Sequence, residues 1–182
     1  MSEHGVVTGP GTVRFERLLP GPIERVWAYL TEPEKRAKWL AGGPMELKAG
    51  GKVELRFHHA DLSAEKTPPE KYRKVEGGVT AHGHVTRCEP PRVLAITWGD
   101  DTSEVVFELT PKGRNVLLVL THRRLPSREE MQSVGGGWHS HLGILEDVLG
   151  EREPRPFWTN HTRNAAEYKA RLADAEPAGG KP

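Results

Sequence analysis

One ordering of segments constrains this chain more than anything else in it: apolar strands joined by short turns, then a single long helix with an apolar face. The run 116–122 reads as a buried strand. Beyond the next turn, Trp138, His141, Leu142, Leu145, Val148 and Leu149 recur at the spacing of one helix face. A stripe of that size must be buried, and after a series of strands the surface available to it is a sheet. The sheet has to curve to cover both ends of the helix, and strand twist supplies the curvature. A curved sheet closed by a helix encloses space, so the pattern favours a cavity for a small molecule.

The segments leading to that helix follow the same logic. Residues 12–19 alternate as a strand with Val13, Phe15 and Leu18 directed inward. Pro20 and Pro22 stop it, and Pro22 suits the first turn of a helix carrying Ile23, Val26, Trp27 and Leu30. Thr31 and Pro33 start a second short helix toward Trp39 and Leu40. In the strand 52–59, Val53, Leu55, Phe57 and His59 share a face, which puts His59 on the apolar side. The polar stretch 60–78, with Pro68 and Pro69, reads as a long loop or flap. Strands 80–88, 93–98, 103–110 and 115–122 then follow through short turns as an antiparallel meander, with Leu118, Leu120 and His122 on one face of the last.

The closing helix starts near Ser127 or Gly137 and runs to Leu149, and the glycines Gly135, Gly136 and Gly137 are expected to break or hinge it. Pro154 and Pro156 end it, and Thr159 or Asn160 caps a further helix containing Ala165, Tyr168 and Leu172. Phe157, Trp158, Tyr168 and Leu172 are too apolar for a free tail. The extension 151–175 is therefore expected to pack on the outside of the grip, or on a second subunit to give a homodimer.

Composition narrows the partners. Lys and Arg number 26 against 25 Asp and Glu, so there is no general field for a nucleic acid backbone or an anionic membrane, and neither is expected as a partner. Cys88 is the only cysteine, which excludes an intramolecular disulfide and a thiolate-rich zinc site; a small apolar filler suits it better than a nucleophile. Residues 1–11 are polar and glycine-rich without the apolar segment of a secretion signal, so the expected location is cytoplasmic. Both 1–11 and 176–182 are expected to be disordered.

The order strand, two short helices, antiparallel strands, long C-terminal helix resembles the helix-grip, or START-like (SRPBCC), superfamily, and more closely its bacterial branch named after the activator of the Hsp90 ATPase (AHSA1-like). The residues that carry the resemblance are Pro22-Ile23-Glu24-Arg25-Val26-Trp27, Trp39-Leu40, Gly83-His84-Val85, Glu89-Pro90-Pro91-Arg92-Val93-Leu94 with Thr97-Trp98, and Gly137-Trp138 with Leu142, Leu145 and Leu149. It implies an α+β fold over 12–150, a curved antiparallel sheet gripping the long C-terminal helix. Relatives bind lipids, hormones or polyketides between sheet and helix, and a few are cyclases or hydrolases. The family name also raises a chaperone or protein-interaction module related to Hsp90 ATPase activation.

For the chemistry, strand parity and helical periodicity direct Trp98, His122, Trp138 and His141 into one cavity, with His59 beside them and Leu118, Leu120, Leu142 and Leu145 as its apolar wall. The leading expectation is non-catalytic binding of a small, largely apolar organic molecule, without cofactor or metal. The second is a cyclase- or hydrolase-type enzyme using His59, His122 or His141 as acid or base. No nucleophile with its base, no carboxylate pair and no phosphate cradle stands out in the sequence; Glu104, Glu108, Glu146 and Asp147 read as solvated.

Overall fold

The structure is a computed structural model and describes residues 2–99 and 101–179. Its elements are β1 (Val6–Gly9), β2 (Thr12–Pro20), α1 (Ile23–Thr31), α2 (Pro33–Arg36), β3 (Lys52–Phe57), β4 (Val79–Glu89), β5 (Val93–Trp98), β6 (Ser103–Lys112), β7 (Asn115–Arg123), α3 (Arg128–Leu149) and α4 (Phe157–Arg171). The strands form one sheet in the order β1-β2-β7-β6-β5-β4-β3, every neighbouring pair antiparallel. The sheet curves around α3, as the resemblance implies, and the core lies between them: Phe15, Val105, Phe107, Leu118 and Leu120 of the sheet meet Met131, Leu142 and Leu145 of the helix.

Parity holds in β7, where Val116, Leu118, Leu120 and His122 are buried. In β2 it holds for Val13 and Phe15 but continues to Arg17 and Leu19, leaving Leu18 exposed at 47%. The inward arginine is what disguises this strand. Arg17 lies 2.9 Å from a Glu146 carboxylate oxygen on α3, so its charge is buried with a partner. The same contact corrects the expectation for Glu146, and two further arginines correct it for Asp147. Asp147 is only 4% exposed and accepts from Arg152 and from the backbone and guanidinium of Arg155. Glu104 on β6 is likewise buried, accepting from Arg123 on the adjacent β7 and from Thr86 on β4, two strands away.

Three further expectations need correction. Residues 1–11 are not loose throughout: β1 pairs with β2, and the Gly5 N–H donates to the Tyr168 hydroxyl at 2.7 Å. At the other end, Gly11 donates to the Glu176 carbonyl and Ala178 to that of Leu125, which ties down 176–178; residues 180–182 lie outside the described residues. The glycines of α3 neither break nor hinge it. Ser127 caps the helix by accepting from Glu130, and the helix runs unbroken to Leu149.

The glycines serve packing instead. Within the chain, α4 lies along α3. A Cβ on Gly135 would sit 2.5 Å from Tyr168 Cδ1, and one on Gly136 would sit 3.1 Å from Ala165 Cα. Tyr168 is fully buried and held through its hydroxyl, so it cannot retreat. Gly135→Ala is therefore expected to destabilise the protein by about 1–3 kcal/mol through overpacking, although the same exchange in a free helix gains up to about 1 kcal/mol. Urea denaturation checks the sign; a more stable variant would show that α4 does not press on this face.

Candidate functional site

A cavity of about 280 Å³ lies at one end of α3, lined by Leu40, Phe57, His59, Tyr72, Val75, Trp98, Ser133, Val134, Gly137, Trp138, His141, Phe157, Trp158 and His161. Four layers build it. The sheet contributes Phe57 and Trp98, and α3 contributes a little over two turns of its face, from Ser133 to His141. The 60–78 loop brings Tyr72 and Val75 over the mouth from its second 3₁₀ turn, Glu70–Val75. Finally α4 supplies Phe157, Trp158 and His161.

His59 arrives by a different route from the one its alternation suggests. The strand ends at Phe57, and His59 opens the 3₁₀ turn His59–Asp61, which still brings its ring among the aromatic groups of the wall. Its centroid is 5.8 Å from that of His141, 5.2 Å from Phe157 and 5.0 Å from Trp158. Tyr72 stacks on Trp158 at 5.2 Å, and His161 stacks on Phe157 at 5.6 Å.

Hydrogen bonds fix the rings. The carbonyl of Trp39 can only accept, so His141 Nδ1, 2.8 Å away, carries a proton and donates to it. That carbonyl is placed by the preceding turn, where the buried Arg36 guanidinium donates to the carbonyls of Thr31 and Ala41 with no carboxylate beside it, and burial pushes its pKa down to about 10. Trp138 is oriented from below. Its indole N–H donates to His122 Nδ1 at 3.0 Å, which leaves Nε2 of a neutral His122 as donor to Ser103 Oγ at 2.8 Å. His122 is thus a fully bonded core group that positions the cavity wall rather than part of the wall.

The site is electrically quiet. Burial pushes the His141 pKa down to about 3, and that of His161 to about 4; His59 is lowered by burial and by the neighbouring His58. All three are neutral at pH 7, and among the described residues no carboxylate or ammonium group lines the cavity. Values near 3–4 leave His141 and His161 poorly matched to proton transfer at neutral pH. Among the described residues, no group of three or more His, Cys, Asp or Glu side chains converges as metal ligands.

Of the residues expected to form the site, His59, Trp98, Trp138 and His141 line one cavity. Leu118, Leu120, Leu142 and Leu145 do not: each is 0% exposed and packed in the solid core. Periodicity determines which face a residue occupies but not its depth along the element, and the cavity lies toward one end of the grip. Phe157, Trp158, His161 and Tyr72 were missed because they come from the extension and the 60–78 loop, outside the sheet and the helix it grips. The signal for Phe157 and Trp158 was their apolar character just after Pro154 and Pro156.

With the geometry in hand, the family model described as activator of Hsp90 ATPase homolog 1-like protein matches residues 20–150. The chain belongs to this family. Membership in the activator-homolog family supports a ligand-binding domain in general terms, and α4 lies beyond the matched residues. No curated protein matches the chain. A protein of Bordetella parapertussis solved by solution NMR is 46% identical, with a TM-score of 0.81 over 97% of this chain and 94% of that one. CalU16 of Micromonospora echinospora, in a crystal structure, shares the fold at 24% identity and a TM-score of 0.66, covering 88% of each chain. A conserved protein of unknown function from Enterococcus faecalis shares it at 21% identity and a TM-score of 0.62, over 91% of this chain and 88% of that one.

Proposed function

We propose that this member of the activator-homolog family binds a small, largely apolar organic molecule in the cavity between α3, α4 and the sheet, without converting it chemically. The observation that carries this reading is the cavity itself: about 280 Å³, walled by aromatic rings, with no charged group in the wall among the described residues. A dry apolar cavity of about 150 Å³ admits benzene, so this volume suits a ligand of one to two rings. Its proposed setting is the cytoplasm, with neither nucleic acid nor membrane as partner; among the described residues no helix is long and apolar enough to cross a membrane.

Gly137 offers a test that separates binding from folding. It lines the cavity, and a Cβ placed on it meets nothing within 4 Å. Gly137→Leu is expected to fill the cavity while gaining about 1 kcal/mol of helix propensity. An uncharged naphthylamine fluorophore should bind the natural protein and bind the variant at least about tenfold more weakly, while the melting temperature holds or rises. Equal binding by the two folded proteins would overturn the reading.

A further inference from the structure

Two polar atoms in the wall of this cavity have no partner among the described residues: the indole Nε1 of Trp158, a residue 4% exposed, and the imidazole Nδ1 of His59. An unbonded N–H shut away from water is costly, and native structures rarely leave one without cause. The other buried polar groups at this site are bonded. Trp39 donates to the Tyr29 carbonyl, Trp138 to His122 and His141 to the Trp39 carbonyl. Ser140 donates to the Gly136 carbonyl and accepts from Asn164. The two orphans are neighbours, with ring centroids 5.0 Å apart. Neither atom is reached by water in this arrangement, and both rings border the cavity, so a partner bound there meets them once the rings turn slightly.

The two atoms have complementary capacities. Indole Nε1 is a donor only, whereas a neutral imidazole can leave Nδ1 as an acceptor. A hydroxyl oxygen is the simplest single group that accepts from one and donates to the other. A carboxylate, having no proton, would leave His59 Nδ1 to adopt its donor tautomer and would bring an unpaired charge into a wall that holds no cation among the described residues. The flanking rings of Phe157, Tyr72 and Trp98 call for a flat apolar body.

Resting on the binding function proposed above, we propose that the ligand is an uncharged aromatic molecule bearing a hydroxyl group, with Trp158 Nε1 donating to that oxygen and His59 Nδ1 accepting its proton. Trp158 and its helix lie outside the residues shared with the family model, 20–150. The extension α4 thus supplies the specificity-determining donor to a cavity whose other walls belong to the common fold.

The test uses the full chain and three probes of nearly equal size: naphthalene, its methoxy derivative and β-naphthol, titrated by calorimetry or by chemical-shift perturbation. Naphthalene offers neither function, the ether accepts only, and naphthol does both. Each hydrogen bond is expected to improve affinity by about tenfold, giving the order naphthol, ether, naphthalene. Trp158→Phe keeps a ring in place and should abolish the advantage of the ether over naphthalene. His59→Phe should abolish the advantage of naphthol over the ether. Equal affinity of the three probes for the natural protein overturns the hydroxyl inference and leaves the binding function standing. If none of the three binds, both fall. Persistence of the full order in both folded variants would also overturn the assignment, and the comparison on the natural protein decides the matter even if a variant fails to fold.

Discussion

Lowering the pH from 6 to 5 is expected to cost this protein on the order of 3–5 kcal/mol of folding stability, a large share of the roughly 5–15 kcal/mol typical of a domain. Four imidazoles are responsible. Burial is the leading cause that pushes His122, His139 and His161 down to about 4 and His141 to about 3, each from an ordinary value of 6.5. The folded state keeps these rings neutral, while the unfolded chain protonates them below about 6.5, so unfolding takes up protons and acid favours it. Their stability contribution is complete above the unfolded value and is lost as the pH falls from there toward 4 to 3.

The carboxylates act in a lower window. Asp147, held at about 2 by Arg155 and Arg152 against the cost of burial, contributes above its ordinary value of 3.8 and loses that contribution only as the pH falls from there toward 2. Urea midpoints measured at pH 7, 6 and 5 check the expectation, with His122→Asn and His141→Asn flattening the dependence. A midpoint that does not move between pH 7 and 5 would mean these rings are solvated in the folded protein.

Ending the chain after Gly150 is expected to remove more than about 5 kcal/mol and with it the cavity. The lost segment carries Phe157, Trp158, Tyr168 and Leu172, all buried. Each is worth about 1.5–3 kcal/mol by transfer from water, before counting the α3 face they leave exposed. That face is glycine-rich at Gly135 and Gly136 because α4 presses against it, so its backbone would be left bare to solvent. Asp147 would keep Arg152 no longer than Arg155, since both lie in the deleted segment, and Glu146 would retain only Arg17. Circular dichroism and thermal melting of the truncated chain provide the measurement. A cooperative melt within a few degrees of the full chain would show that the extension is energetically idle.

What the sequence by itself determined is the architecture. The alternation of Leu118, Leu120 and His122, the stripe from Trp138 to Leu149 and the proline punctuation at Pro22 and Pro33 are local signals, and local periodicity is enough to specify element type and which face turns inward. From these the curved antiparallel sheet and its helix follow. The motifs from Pro22-Ile23 to Leu149 sufficed to recognise the family.

The site required the tertiary structure. Arg17 and Asp147 look like solvent residues in a linear pattern, and only their pairing across β2, α3 and the extension explains their burial. Gly135 and Gly136 look like helix breakers, because propensity describes an isolated helix and not one with Tyr168 and Ala165 resting on it. Leu142 and Leu145 share a face with Trp138 and His141 yet end in solid core, since a periodic pattern carries no information on where along a grip the packing stops. The cavity is bounded there by Tyr72, Phe157, Trp158 and His161, which meet His59 across long chain separations. Contacts of that kind are set by how α4 and the 60–78 loop dock on the grip, and docking is decided by the shape and burial of the assembled surfaces rather than by any local repeat.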